Sequence, residues 1–99
     1  MTNEVLETDT FLEVYDSFEK KEQEWIEKIK DQLKENLLAG KPLGFIWLRE
    51  KRLDDKRLFY VINEKTEKAL LVAFGPKKEQ QRIINNILRN KEEYLSFIS

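Results

Sequence analysis

The hydrophobic spacing of this chain changes period once, at Ala39-Gly40-Lys41-Pro42-Leu43-Gly44, and that change constrains the fold more than any other feature. Before it, apolar residues recur every three or four positions; after it they come in short bursts closed by turn residues. Phe11, Val14, Tyr15 and Phe18 stand at i, i+3, i+4 and i+7, which predicts a short helix, with Thr10 and Glu13 at capping-box spacing in front of it. Asp16-Ser17 interrupts the pattern. A second helix is predicted from about Lys20 to Asn36, with Trp25, Ile26, Ile29 and Leu33 turned inward. Past the break, Phe45 to Leu53 reads as one long strand, Arg57 to Ile62 as a second and Lys68 to Phe74 as a third. Asp54-Asp55-Lys56 and Asn63 to Glu67 are the turns between them. Gly75-Pro76 closes the last strand, and apolar residues from Ile83 to Ile98 keep helical spacing almost to the C-terminus. Val5-Leu6 reads as a short opening strand. The order is (β)ααβββα: an α+β fold in which a small antiparallel sheet packs against an N-terminal helical hairpin and a C-terminal helix. The 99 residues form a single domain, 1–99.

The residue types that are missing narrow the chemistry. There is no cysteine and no histidine, which excludes disulfides, thiolate nucleophiles, Cys/His zinc sites and any Ser-His or Cys-His pair. No cofactor and no metal are expected. Asp54-Asp55 is a turn rather than a cation cage, because two adjacent carboxylates lack further oxygen ligands. Met1-Thr2-Asn3-Glu4 is not a basic leader, and the longest apolar run, Ala69 to Phe74, is far below the ~20 residues of a membrane span. A cytoplasmic location without membrane attachment is expected. The Lys/Glu-rich, cysteine-free composition fits a protein that works at high temperature.

The net charge of −1 hides an asymmetry: residues 1–36 carry eleven acidic and five basic groups, whereas residues 41–99 carry thirteen basic and eight acidic ones. A strand-rich half with a net charge of +5 suits an anionic partner, phosphate above all. A mixed, solvated surface is the competing reading.

The segment order, together with particular motifs, resembles the RelE/ParE toxin superfamily. The motifs are Leu33-Lys34-Glu35-Asn36 followed by Gly40-Lys41-Pro42-Leu43-Gly44, then Trp47-Leu48-Arg49-Glu50-Lys51, then Arg57-Leu58-Phe59-Tyr60-Val61-Ile62, and finally Leu70 to Lys78. The resemblance covers roughly residues 5–85. It implies a toxin held by a small antitoxin peptide and acting on RNA at the ribosome; RelE-type members cut mRNA there, and ParE-type members poison gyrase instead. An alternative within the same scaffold is a non-catalytic interaction or nucleic-acid-binding protein, of plasmid or viral origin in a thermophile.

Cleavage by the neighbouring 2′-hydroxyl requires a base, an acid and fixed positive charge around the phosphate. The resemblance places Arg57 as the phosphate-stabilising arginine, Lys78 where a second catalytic arginine stands, and Lys51 with Arg49 as the basic pair of the first strand. Lys77 and Arg82 extend the RNA track. The tyrosine that cleaving members carry beyond the second basic residue falls here on Ile84, so an endoribonuclease would lack that group. Competing readings stay open: Arg49, Lys51 and Arg52 as charges guarding a strand edge, and Arg57 as the ion-pair partner of Asp54 or Asp55. Trp25 and Trp47 read as core residues. The stripe Ile84, Ile87, Leu88 and Leu95 reads as core, as a homodimer seam, or as the groove for a partner helix.

Overall fold

The computed structural model describes residues 2–99. The elements run β1 (Glu4–Glu7), α1 (Asp9–Tyr15), α2 (Lys20–Glu35), β2 (Lys41–Phe45), β3 (Leu48–Leu53), β4 (Lys56–Asn63), β5 (Lys68–Pro76), a 3-10 turn (Lys77–Glu79), α3 (Gln80–Arg89) and α4 (Lys91–Phe97). The sheet has five strands in the order β1-β5-β4-β3-β2. The β2-β3-β4-β5 meander is antiparallel, and β1 lies parallel to β5 at its outer side. The α+β class therefore stands, with a mixed sheet in place of an antiparallel one.

Helices cover both faces, so the central strands are apolar on both sides. Phe11, Ile26, Ile29 and Leu33 of α1 and α2 pack on Leu58, Tyr60 and Ile62. Ile87 and Ile98, from the C-terminal helices, pack on the opposite face with Leu48, Phe59, Val61 and Leu70. Between Phe59–Ala73 and Tyr60–Leu71 the pairing of β4 with β5 skips Val72, a bulge that sends both Val72 and Ala73 to the second cluster.

Three local expectations are corrected. The single strand from Phe45 to Leu53 is two strands joined by a tight turn at Ile46-Trp47; β2 begins at Lys41, and Pro42 is tolerated because β2 is an edge strand. Gly44, at φ 90°, supplies a conformation that side chains resist, beside the irregular pairing between Pro42 and Phe45. The first helix is capped two residues earlier than expected: the Phe11 amide donates to Thr8 Oγ1 at 3.0 Å. The expected continuous C-terminal helix breaks at Asn90, whose side-chain amide donates to the Asn86 carbonyl at 2.8 Å and competes with the helical ladder. That break returns Leu95 and Ile98 to the sheet.

Candidate nucleic-acid interface

Two adjacent aspartates set the register of the basic strands. Asp54, at φ 53°, makes the positive-φ corner of a two-residue hairpin that pairs Leu53 with Lys56. One step inward, Arg52 stands directly opposite Arg57, and Arg57 in turn opposes Gly75 on β5. Lys77 and Lys78 follow at the exposed exit of β5, where the Lys77 amide donates to the Asp55 carbonyl at 2.7 Å. Four cations therefore gather at one end of the sheet. Among the described residues, Arg52, Lys77 and Lys78 have no ion-pair partner. Like charges set directly opposite each other on neighbouring strands are unfavourable, so the Arg52–Arg57 pair has a local cost.

Arg57 itself is restrained. It is 4% exposed, its Nη1 donates to the Lys56 and Asp54 carbonyls at 3.0 and 3.3 Å, and its Nε lies 3.7 Å from Glu50 Oε2. Glu50 is buried on the same face of the sheet and also accepts from Gln80 Nε2 at 2.9 and 3.1 Å. Its carboxylate occupies the place beside the guanidinium that an anion from outside would take. The ion-pair partner of Arg57 is thus Glu50, not Asp54 or Asp55; the Asp54 carboxylate pairs instead with Lys21 at 3.4 Å.

The remaining site candidates are not gathered with these four. Arg49 pairs across the ladder with Tyr60 and Lys51 with Leu58, both in the cluster under α1 and α2, so these two side chains lie on the opposite face from Arg57. Arg49 is 7% exposed and is consumed by a loop: Nε and Nη2 donate to the Gly40 carbonyl at 3.1 and 2.9 Å, and Nη1 to the Ile46 carbonyl at 3.2 Å. Lys51 is partly exposed, and Arg82 is exposed but paired with Glu79 one helical turn away. A single hollow lined by all six cations is therefore not formed. Arg52, absent from the expected set, is the cation that the hairpin register brings in. Its signal was present in the sequence: treating Asp54-Asp55 as a two-residue turn puts positions 52 and 57 opposite each other.

No tyrosine approaches this end as a base. Burial raises the pKa of the Tyr60 hydroxyl, against the pull of the Gly40 amide and Arg49, and the hydroxyl donates to the Leu37 carbonyl at 3.1 Å. Tyr15 is raised by burial and by its hydrogen bond to Glu27, and Tyr94 by burial and by Glu93. In the stripe considered for a partner, Ile87 is buried and Ile84 and Leu95 pack half-buried on the second cluster, leaving Leu88 exposed. Trp25 packs against the first cluster at 6.2 Å from Phe74. Trp47 is half-buried against the second, 5.3 Å from Phe45, with Lys91 Nζ 5.1 Å over its ring.

No family model matches the sequence, and no curated protein resembles it significantly. Solved structures do. The free E. coli toxin RelE, in a double arginine-to-alanine variant, superimposes with a TM-score of 0.74 over 90% of this chain and 98% of that chain, at 15% identity. The chain has the RelE toxin fold. An archaeal RelE–RelB complex from Pyrococcus horikoshii matches with a TM-score of 0.66 at 21% identity, covering 77% of this chain and 96% of that chain. The RelBE2 toxin–antitoxin complex of Mycobacterium tuberculosis matches at 0.65 and 18%, covering 77% and 99%. On this RelE fold, one end of the sheet carries Arg52, Lys77 and Lys78, which have no ion-pair partner among the described residues, beside Arg57, which is paired with Glu50. No helix among the described residues is long and apolar enough to cross a membrane.

Proposed function

We propose that this chain is a toxin-like protein that binds RNA, on or off the ribosome, through Arg52, Arg57, Lys77 and Lys78, with Lys51 and Arg82 at the margins. The observation that carries this reading is the Arg52–Arg57 cross-strand pair continued by Lys77 and Lys78, with three of the four lacking a carboxylate partner. Uncompensated cations along one edge supply the phosphate contacts on which nucleic-acid affinity depends. Ribosome binding places the protein in the cytoplasm, and a RelB-type antitoxin is its natural partner, since solved RelE toxins of this fold are bound by RelB.

The protein acts by occupancy rather than by cutting. Loss of general acid–base help costs ~10²–10⁴ in rate, and each tyrosine is held above its ordinary pKa, Tyr60 on the sheet face opposite Arg57. The test is cell-free translation with purified protein, followed by primer extension on the mRNA. Synthesis should fall in proportion to added protein without new RNA ends. Undiminished synthesis overturns RNA or ribosome binding as the function, whereas discrete cuts overturn occupancy in favour of an endoribonuclease.

A second reading is a binding module that never engages RNA, favoured by the Glu50 carboxylate beside Arg57. It requires that Glu50→Gln leave RNA affinity at the background level of an unrelated protein of equal charge.

A further inference from the structure

We propose that the tip of the β2–β3 hairpin, with the hollow beside it, is a self-complementary surface through which two copies of this chain form a two-fold dimer. Two-residue hairpin turns ordinarily take Gly, Asn or Asp, whereas this one is Ile46-Trp47, preceded by Phe45. Ile46 is 64% exposed, more than any other large apolar residue described, and Phe45 is 45% exposed. The tip is held from inside. Arg49 Nη1 donates to the Ile46 carbonyl at 3.2 Å, and the Ile62 amide to the Trp47 carbonyl at 2.9 Å. The Phe45 and Trp47 rings lie 5.3 Å apart. A knob fixed in this way loses little freedom when it docks.

A receptor for the knob stands next to it. Ile46 and Trp47 line an open hollow of about 450 Å³, together with Ile62 and Leu95. Its charged lining is Glu64, Lys65 and Lys91, and none of these has an ion-pair partner among the described residues. A projection and a hollow that adjoin on one surface, with both signs of charge around them, suit an isologous contact. A two-fold axis between the hairpin tips seats each Ile46 in the hollow of the other copy. It also sets Glu64 of one copy against Lys65 or Lys91 of the other. A partner of a single sign leaves either Glu64 or the two lysines unmatched; a second copy matches both.

The hairpin tip and the basic end lie at opposite ends of β3, whose Leu48 and Leu53 are five steps, or roughly 17 Å, apart. The dimer therefore leaves Arg52, Lys77 and Lys78 of each copy open, and its formation does not depend on RNA binding.

Sedimentation equilibrium of the whole protein between about 1 μM and 1 mM should show reversible dimerisation, as expected of an interface at the small end of the range. Ile46→Asp, at an exposed position, should weaken it ~tenfold or more and leave the Tm unchanged. Dilution should move the amide resonances of Phe45 to Trp47, Glu64, Lys65 and Lys91, and not those of Arg52, Lys77 and Lys78. Glu64→Lys makes the charged lining wholly basic, and Lys65→Glu with Lys91→Glu makes it wholly acidic. Each of these variants should stay monomeric alone, and an equimolar mixture of the two should dimerise. That mixed dimer should be lost when both also carry Ile46→Asp. A parent protein that is monomeric throughout the range overturns the proposal, as does a dimer that Ile46→Asp leaves intact or a pair of charge variants that fail to associate. Monomeric protein that binds phosphatidylglycerol vesicles through Ile46 would assign the tip to a lipid surface and overturn the dimer equally.

Discussion

Replacing Arg49 by methionine separates a buried staple from an RNA contact. The guanidinium is the donor that satisfies the Gly40 carbonyl twice and the Ile46 carbonyl once, in a site sealed by Tyr60, whose hydroxyl accepts from the Gly40 amide at 2.8 Å. Methionine keeps much of the volume but leaves those carbonyls without a partner. A hydrogen bond from a charged donor contributes about 1.5–3 kcal/mol, and an orphaned buried carbonyl costs about 1–3 kcal/mol. These overlap, so the expected loss is about 2–4 kcal/mol. For a domain of this size that corresponds to a fall in Tm of roughly 10–30 °C. Arg49→Lys should recover only part of it, since an ammonium cannot reproduce the fork. Arg52→Met, at an exposed position, should stay within about 0.5 kcal/mol of the parent. Urea unfolding of the three variants, with RNA affinity measured below the transition of each, decides the matter. Stability equal to that of Arg52→Met together with loss of RNA affinity in Arg49→Met would refute the reasoning.

Glu50→Gln should strengthen binding of a short RNA several-fold, because it removes the carboxylate beside Arg57 while keeping an acceptor for Gln80; titration by fluorescence anisotropy reads the change. Burial alone would raise the pKa of Glu22, but the hydrogen bonds from Lys56 and the Glu19 amide and the Lys56 charge hold it below the ordinary 4.5. Its contribution to stability is complete above pH 4.5 and is lost as pH falls through the lower folded value. Glu22→Gln should therefore flatten the acid limb of a stability–pH curve obtained by urea unfolding. The hydrogen bond to Glu22 chiefly holds Lys56 above 10.5, so the same curve should decline again as pH rises past that value. Gly40→Ala would set a Cβ 2.5 Å from the Glu50 carbonyl and 2.6 Å from Tyr60 Oη, so calorimetry should show a destabilisation of about 1–3 kcal/mol.

The helical half was legible because Phe11, Ile26, Ile29 and Leu33 recur at the period of a helix and lie buried in one cluster. The meander was legible from its turns. The split at Ile46-Trp47 was not, because an apolar run from Phe45 to Leu48 carries no turn chemistry of its own; the signal lay in Gly44, one step earlier. The parallel pairing of β1 with β5 joins residues more than sixty positions apart, and nothing local in Glu4 to Glu7 specifies it. Within the candidate site, Lys77 and Lys78 were visible as adjacent charges after a proline. Arg49 was misjudged because an arginine reads as surface until the carbonyls that satisfy it are known. Glu50 was invisible for the same reason: it meets Arg57 and Gln80 only once the strands are in register and α3 is folded over them.

The basic end of the sheet is tested most directly by the salt dependence of RNA binding. A fluorescein-labelled single strand of about ten nucleotides is titrated with the parent protein and with the triple variant Arg52→Glu, Lys77→Glu, Lys78→Glu, across a range of potassium concentrations. Three phosphate contacts, from the exposed Arg52, Lys77 and Lys78, predict a slope of about −2 in log affinity against log salt, at ~0.7 per contact on a single strand, and no measurable binding by the triple variant. A parent protein that fails to bind even at low salt, or a triple variant that binds as the parent does, would contradict the assignment of this edge to RNA.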